Sequence, residues 1–199
     1  MPLTTREAAL EQLAPILPIL RDAILGGWNE YREQPVELQL KYTPRTRANA
    51  VRDLILDRVR VGVDGMPGVK IVKARGLDLL SLLGDTLQLL IRFKKLDRNK
   101  LASSYPTMQA QLFDLQLPLE GVPTATRLSA GYQLTKDQGD IAGIFVTCQV
   151  GAHLAWDIDV LQETSTPVVE LPLSPAIAAT LSLPVSIKVD QKKTKESKE

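Results

Sequence analysis

One histidine and one cysteine stand in this chain, and they set the limits on its acid–base and nucleophilic chemistry. His153 precedes Asp157 and Asp159 in an alternating stretch. On a regular strand His153 and Asp157 share a face, where a His–Asp pair supports general-base work. A surface histidine beside a turn is the plainer reading. Cys148 shares a strand face with Ile144 and Val146 and has no basic sequence neighbour to lower its pKa, so it reads as a small core residue. Asp157 and Asp159 lie on one face about 7 Å apart by strand geometry. They could bind a cation or a basic partner, but two carboxylates alone make a weak site, and a solvated sheet face is the plainer reading.

Other constellations are missing. A lone Cys and a lone His exclude a disulfide framework and any single-chain zinc site built from several such ligands. No Gly-x-Gly-x-x-Gly, Gly-x-x-x-x-Gly-Lys-Ser/Thr or Gly-x-Ser-x-Gly occurs, so nucleotide hydrolysis, dinucleotide redox and serine-hydrolase chemistry have no carrier. A restriction-type nuclease needs an acid followed by Asp/Glu-x-Lys on adjacent strands. Arg92 occupies the acid's place, and the only such triplets start at Asp190 and Glu196, near the C-terminus. Asp78 and Asp85 are the remaining acids of that region. No cofactor and no metal are expected.

Charge carries the positive signal. The chain of 199 residues is 44% hydrophobic and 24% charged, with a formal net charge of +1. That sum hides an asymmetry. Residues 41–100 hold 14 Lys or Arg against 6 Asp or Glu, and residues 101–186 hold 2 against 8. A basic block can follow nucleic-acid phosphates, which need only cations on flexible stems along one face. The candidates are Lys41, Arg45, Arg47, Arg52, Lys73, Arg75, Arg92, Lys94, Lys95, Arg98 and Lys100. Arg45 and Arg52, seven apart, fall near one helix face. The alternatives are that the basic block packs near the acidic block, within the chain or across a dimer, or that the charges form a scattered solvated surface. For contact with a protein partner the candidates are Trp28, Tyr31, Arg127, Tyr132, Asp157 and Asp159. Trp28 and Tyr31 equally suit a core anchor, and Arg127 an ion pair within its acidic block. Gly131 before Tyr132 marks a bulge or a close approach of backbones.

The elements that must position these residues follow from periodicity. Residues 4–33 carry Leu10, Leu13, Leu17, Leu20 and Ile24 at helical spacing, broken by Pro15 and Pro18. Thr4 or Thr5 can cap, with Glu7 completing a capping box. Residues 36–42 alternate as a short strand would. A helix over 46–61 follows, with Thr46 as cap. Strands are expected at 69–75, 77–83 and 86–94, the last two joined by a tight hairpin at Gly84-Asp85. A short helix spans 106–116. Strands at 127–135, 140–150 and 153–161 form an antiparallel meander with one wet face. Four prolines in 164–187 suggest an extended arm, and 188–199 a charged, disordered tail.

The resulting expectation is an α+β domain over 1–163, with N-terminal helices packed on a largely antiparallel sheet of about six strands. No secretory leader or membrane span is apparent, and the single thiol fits a reducing cytoplasm. The function expected first is non-enzymatic: a binding or regulatory protein contacting another protein or a second copy of itself. The alternatives are a nucleic-acid-binding module using 41–100 and an enzyme, or inactive nuclease-like fold, with an unrecognised site.

Overall fold

The computed structural model describes residues 3–165 apart from Arg75, Asp85, Thr86, Ser104 and Pro106. The expected arm and tail beyond Ser165 lie outside the described residues. At the N-terminus the proline break falls where expected, between α1 (Arg6–Leu13) and α2 (Leu17–Arg32). The Thr5 hydroxyl accepts from the Ala8 N–H at 3.3 Å and caps α1. Pro18 sits in the first turn of α2, where its missing N–H has no helical partner to lose.

Residues 36–42, expected as strand, instead contain one helical turn, α3 (Val36–Gln39). Pro35 starts it, its carbonyl accepting from Leu38 and Gln39, and the Gln39 side chain ties back to the Arg32 and Gln34 carbonyls. None of its residues is buried. Alternation specifies a strand only where one face has something to pack against, and here it has nothing. The next helix, α4 (Pro44–Gly62), begins two residues before the expected start. Thr43, not Thr46, is its cap, accepting from the Thr46 N–H at 3.1 Å, with Pro44 in the first turn.

Gly26-Gly27 weakens α2 by propensity yet serves its packing. A Cβ on Gly27 would stand 2.9 Å from the Ile55 nitrogen, so α2 and α4 cross with their backbones nearly touching. The apolar stripes of α1, α2 and α4 bury Leu13, Leu20, Ile24, Ile55 and Val59 against one face of the sheet.

That sheet holds β1 (Val69–Ala74), β2 (Leu77–Leu83), β3 (Gln88–Lys95), β4 (Thr126–Leu134), β5 (Ile141–Val150) and β6 (His153–Asp159), in that spatial order. Every pair is antiparallel except β3 and β4, which run parallel. A parallel pair needs a crossover, and α5 (Met108–Asp114) supplies it. Leu89, Ile91 and Phe93 face the N-terminal helices. Leu79 and Leu90 face the other way and pack with Phe113 of α5. The strand expected to reach 161 stops at Asp159, whose carboxylate accepts from Leu161 at 3.0 Å and Gln162 at 3.2 Å. That cap starts α6 (Val160–Thr164). Gly131 marks a close approach: it pairs with Lys94 across the parallel ladder, and a Cβ there would fall 1.9 Å from the Lys94 carbonyl oxygen. Among the described residues no helix is long and apolar enough to cross a membrane.

Candidate functional site

The cations of the basic block meet where the sheet opens. The β2–β3 ladder stops at Leu80–Ile91. From Arg92 to Lys95, β3 keeps β4 on one side, pairing Arg92 with Ser129 through Lys95 with Tyr132. On its other side β2 has parted from it, Leu77 to Leu79 pairing with β1 alone. Farther along, Ala102 bridges to Leu96 and the Ser103 N–H donates to the Lys95 carbonyl at 2.9 Å. That return is built by Asp97, whose Oδ1 accepts from Asn99 at 2.8 Å and Leu101 at 2.9 Å. Between Leu77 and Ser103 a cleft of about 350 Å³ remains, walled by α4 and by the chain leading into α5. Arg45, Ala48, Asn49 and Arg52 reach it from α4 at spacings of three and four, one helix face. Arg92, Phe93, Lys94 and Lys95 reach it from β3, and Tyr105, Thr107 and Gln109 from the far wall. The cleft lies at the carboxyl end of β3, where the parallel crossover departs. Ligands in open sheets favour that end.

Five cations line this cleft, and no described Asp or Glu does. Arg92 is 4% exposed, donates through Nε to the Ser129 hydroxyl at 3.0 Å, pairs with Asp114, and stacks 4.4 Å from the Phe113 ring centroid. Burial pulls its pKa down, and the Asp114 carboxylate opposes that pull. Lys94 is half-buried. Desolvation, followed by the Arg92 and Arg52 charges, holds its pKa below the usual lysine range. Burial and Arg47 do the same to Lys95. Among the described residues Arg45, Lys94 and Lys95 form no ion pair. The salt bridge of Arg52 is to its neighbour Asp53, whose side chain is 64% exposed. Like charges gathered out of water cost free energy, and a bound anion offsets that cost.

The rest of the basic set lies elsewhere. Arg47 hydrogen-bonds Gln138, and Arg98 lines a separate groove with Lys136. Lys41 and Lys73 are exposed outside the cleft, and Arg75 lies outside the described residues. Lys100 binds Asp157 at 2.7 Å and sits 4.3 Å from the Phe145 centroid. Arg58 pairs with Glu30, and Arg60 with Asp78. The acidic block therefore neutralises some of the basic block, through Lys100–Asp157 and Arg92–Asp114, and leaves Arg45, Lys94 and Lys95 of the cleft without an ion pair among the described residues.

The residues expected at a protein contact have these positions. Trp28 and Tyr31 are 3% and 4% exposed, and Tyr132 is 2% exposed. Trp28 packs at a tilt against Tyr31 and Tyr132, with centroids 5.6 and 5.8 Å away. Arg127 is buried, and carbonyls rather than a carboxylate receive it. Its Nη1 donates to the backbone oxygens of Leu112, at 3.0 Å, and Leu117, at the C-terminal end of α5, where a cation is favoured. Asp157 holds Lys100 and Asp159 caps α6.

The expected His153–Asp157 pair does not form, because of the strand register. β6 pairs Trp156 with Cys148 but Leu154 with Gln149, so Ala155 is an extra residue in the ladder. A one-residue bulge flips the faces beyond it. His153 and Asp157, expected on one face, point to opposite faces. Cys148 is fully buried, and burial pushes its thiol up to about 11.

Sequence reasoning found the cations of the cleft but missed Asn49, Ser103, Thr107 and Gln109. Nothing in local pattern marks them, because the gap between β2 and the 102–103 return places them together. No protein-family model, curated protein or solved structure matches this chain.

Proposed function

We propose that the protein is a non-enzymatic nucleic-acid-binding module and that the cleft at the end of β3 receives the ligand's phosphate. One observation carries this reading: Arg45, Arg52, Arg92, Lys94 and Lys95 converge on one concavity that no described carboxylate lines. Phosphate contact needs cations on flexible stems, and Arg45, Arg52, Lys94 and Lys95 supply four beside the already paired Arg92. Tyr105, 76% exposed at the same cleft, offers a ring for a base. The test is a salt titration of single-stranded and duplex DNA binding. Affinity that falls with salt, and that drops when Lys94 and Lys95 become alanine, supports the proposal. Absence of binding at low salt refutes it.

A second reading, contact with another protein, is favoured by α3 and its flank. Val36 and Leu40 are 63% and 81% exposed there, with Leu38 between them. Leu40→Asp should break any self-association seen by light scattering; an unchanged dimer or oligomer would remove this surface from consideration.

A further inference from the structure

Resting on the nucleic-acid reading, we infer that the cleft takes a terminal phosphate, a phosphate monoester on a nucleoside unit, in preference to the phosphodiesters inside a strand. The first support is the distribution of uncompensated charge. A protein that tracks a strand spreads cations along a groove several nucleotides long. Here Arg58, Arg60 and Lys100, outside the cleft, each bind a carboxylate. Five cations are instead gathered in one concavity of about 350 Å³. That concentration fits a compact, highly charged group better than a run of single charges.

The second support is depth. Arg45 is exposed, Arg52 has a side chain 32% exposed, Lys94 is half-buried and Arg92 is 4% exposed. The cations thus recede from solvent. An internal phosphodiester carries a sugar on each side, so it crosses an opening and leaves recessed charges out of reach. A terminal phosphate carries one substituent and can enter phosphate-first. It also brings about −1.5 to −2 of charge near neutral pH, with three acceptor oxygens. Those oxygens can take charge-assisted hydrogen bonds from Lys94 and Arg52, whose like charges repel each other across the cleft.

The third support is the Tyr105 ring. It lines the same cleft and is largely exposed, so it can stack the first base attached to a phosphate held within.

The test compares four probes on the full chain at one low salt concentration: a single-stranded oligonucleotide of roughly a dozen nucleotides with a 5′-phosphate, with a 3′-phosphate, and with hydroxyls at both ends, and a nucleoside 5′-monophosphate as competitor. Binding is read by anisotropy of an internal dye. A phosphorylated end should bind about tenfold more tightly than hydroxyl ends, the equivalent of one added charge-assisted contact. Lys94→Met and Arg52→Gln, each checked for an unchanged melting transition or a higher one, should abolish that preference. Competition by the mononucleotide at concentrations similar to the oligonucleotide identifies free nucleotides as the source of the group; competition only at large excess identifies strand ends. Equal affinity for all three oligonucleotides, lowered by both variants, would overturn the terminal-phosphate inference while leaving nucleic-acid binding standing. A preference untouched by either variant would overturn the placement in this cleft. No binding of any oligonucleotide would overturn both.

Discussion

Lys94 bears the sharpest conflict at the residue scale. It is half-buried beside Arg92 and Arg52, and its pKa is lowered by desolvation first and those charges second. A base whose folded pKa lies below its unfolded value holds its proton less tightly in the native state, so its charge costs stability at neutral pH. Native stability should therefore rise as pH climbs toward the ordinary lysine value of 10.5, with Lys95 contributing in the same direction. Lys94→Met removes the charge and keeps the stem. It should raise stability by about 0.5–1 kcal/mol in a denaturant titration at pH 7 while weakening DNA binding, the trade expected where function maintains a strained site. The opposite holds one residue deeper. Asp114→Asn leaves Arg92 buried without its counter-ion and should cost about 3 kcal/mol in the same titration. The burial and elevated pKa of Cys148 make a further expectation: thiol labelling at pH 8 should follow global unfolding rather than precede it. Labelling of the native protein within minutes would contradict its burial.

Elements explain what a reader of the sequence could and could not see. The α2 and α4 stripes, the hairpin before β3 and the three-strand meander were legible because each carries its own period in consecutive residues, but the meander's expected wet face is covered along β4 and β5, where Arg127, Ser129, Thr147 and Gln149 are buried. Residues 36–42 were not. Their alternation is real, but no sheet lies beside them, and Pro35 with the Gln39 side chain closes a helical turn instead. The bulge at Ala155 was invisible for a related reason: it exists only relative to β5. The site divides the same way. The spacing of Arg45 and Arg52 placed them near one helix face, whereas the gap that turns β3 cations into a cleft depends on where the β2 ladder ends. Gly131 links the two levels, because its missing side chain lets β4 close on the Lys94 carbonyl. Gly131→Ala should cost about 1–3 kcal/mol by overpacking and reduce DNA affinity by displacing Lys94. A fully stable alanine variant would show that the strands can separate there without consequence.

Over the whole molecule, a formal charge of +1 describes cancellation between segments rather than neutrality of the surface. The chain sends Asp114 and Asp157 from its acidic half to Arg92 and Lys100, and Arg45, Lys94 and Lys95 remain without such partners. Binding through so few cations should show a shallow salt dependence. With about three phosphate charges neutralised, the slope of log affinity against log salt is expected near −2 for a single strand. A slope several times steeper would mean that cations far from the cleft take part. The most direct test sets two double variants against the parent chain in equilibrium binding of one single-stranded oligonucleotide at low salt. Arg52→Ala with Lys94→Ala should reduce affinity at least tenfold, roughly the loss of two phosphate contacts. Lys41→Ala with Lys73→Ala, which removes the same charge outside the cleft, should leave affinity within about twofold, as expected for a surface charge that makes no contact. Equal losses in both variants, or none in the first, would contradict a cleft that binds nucleic acid.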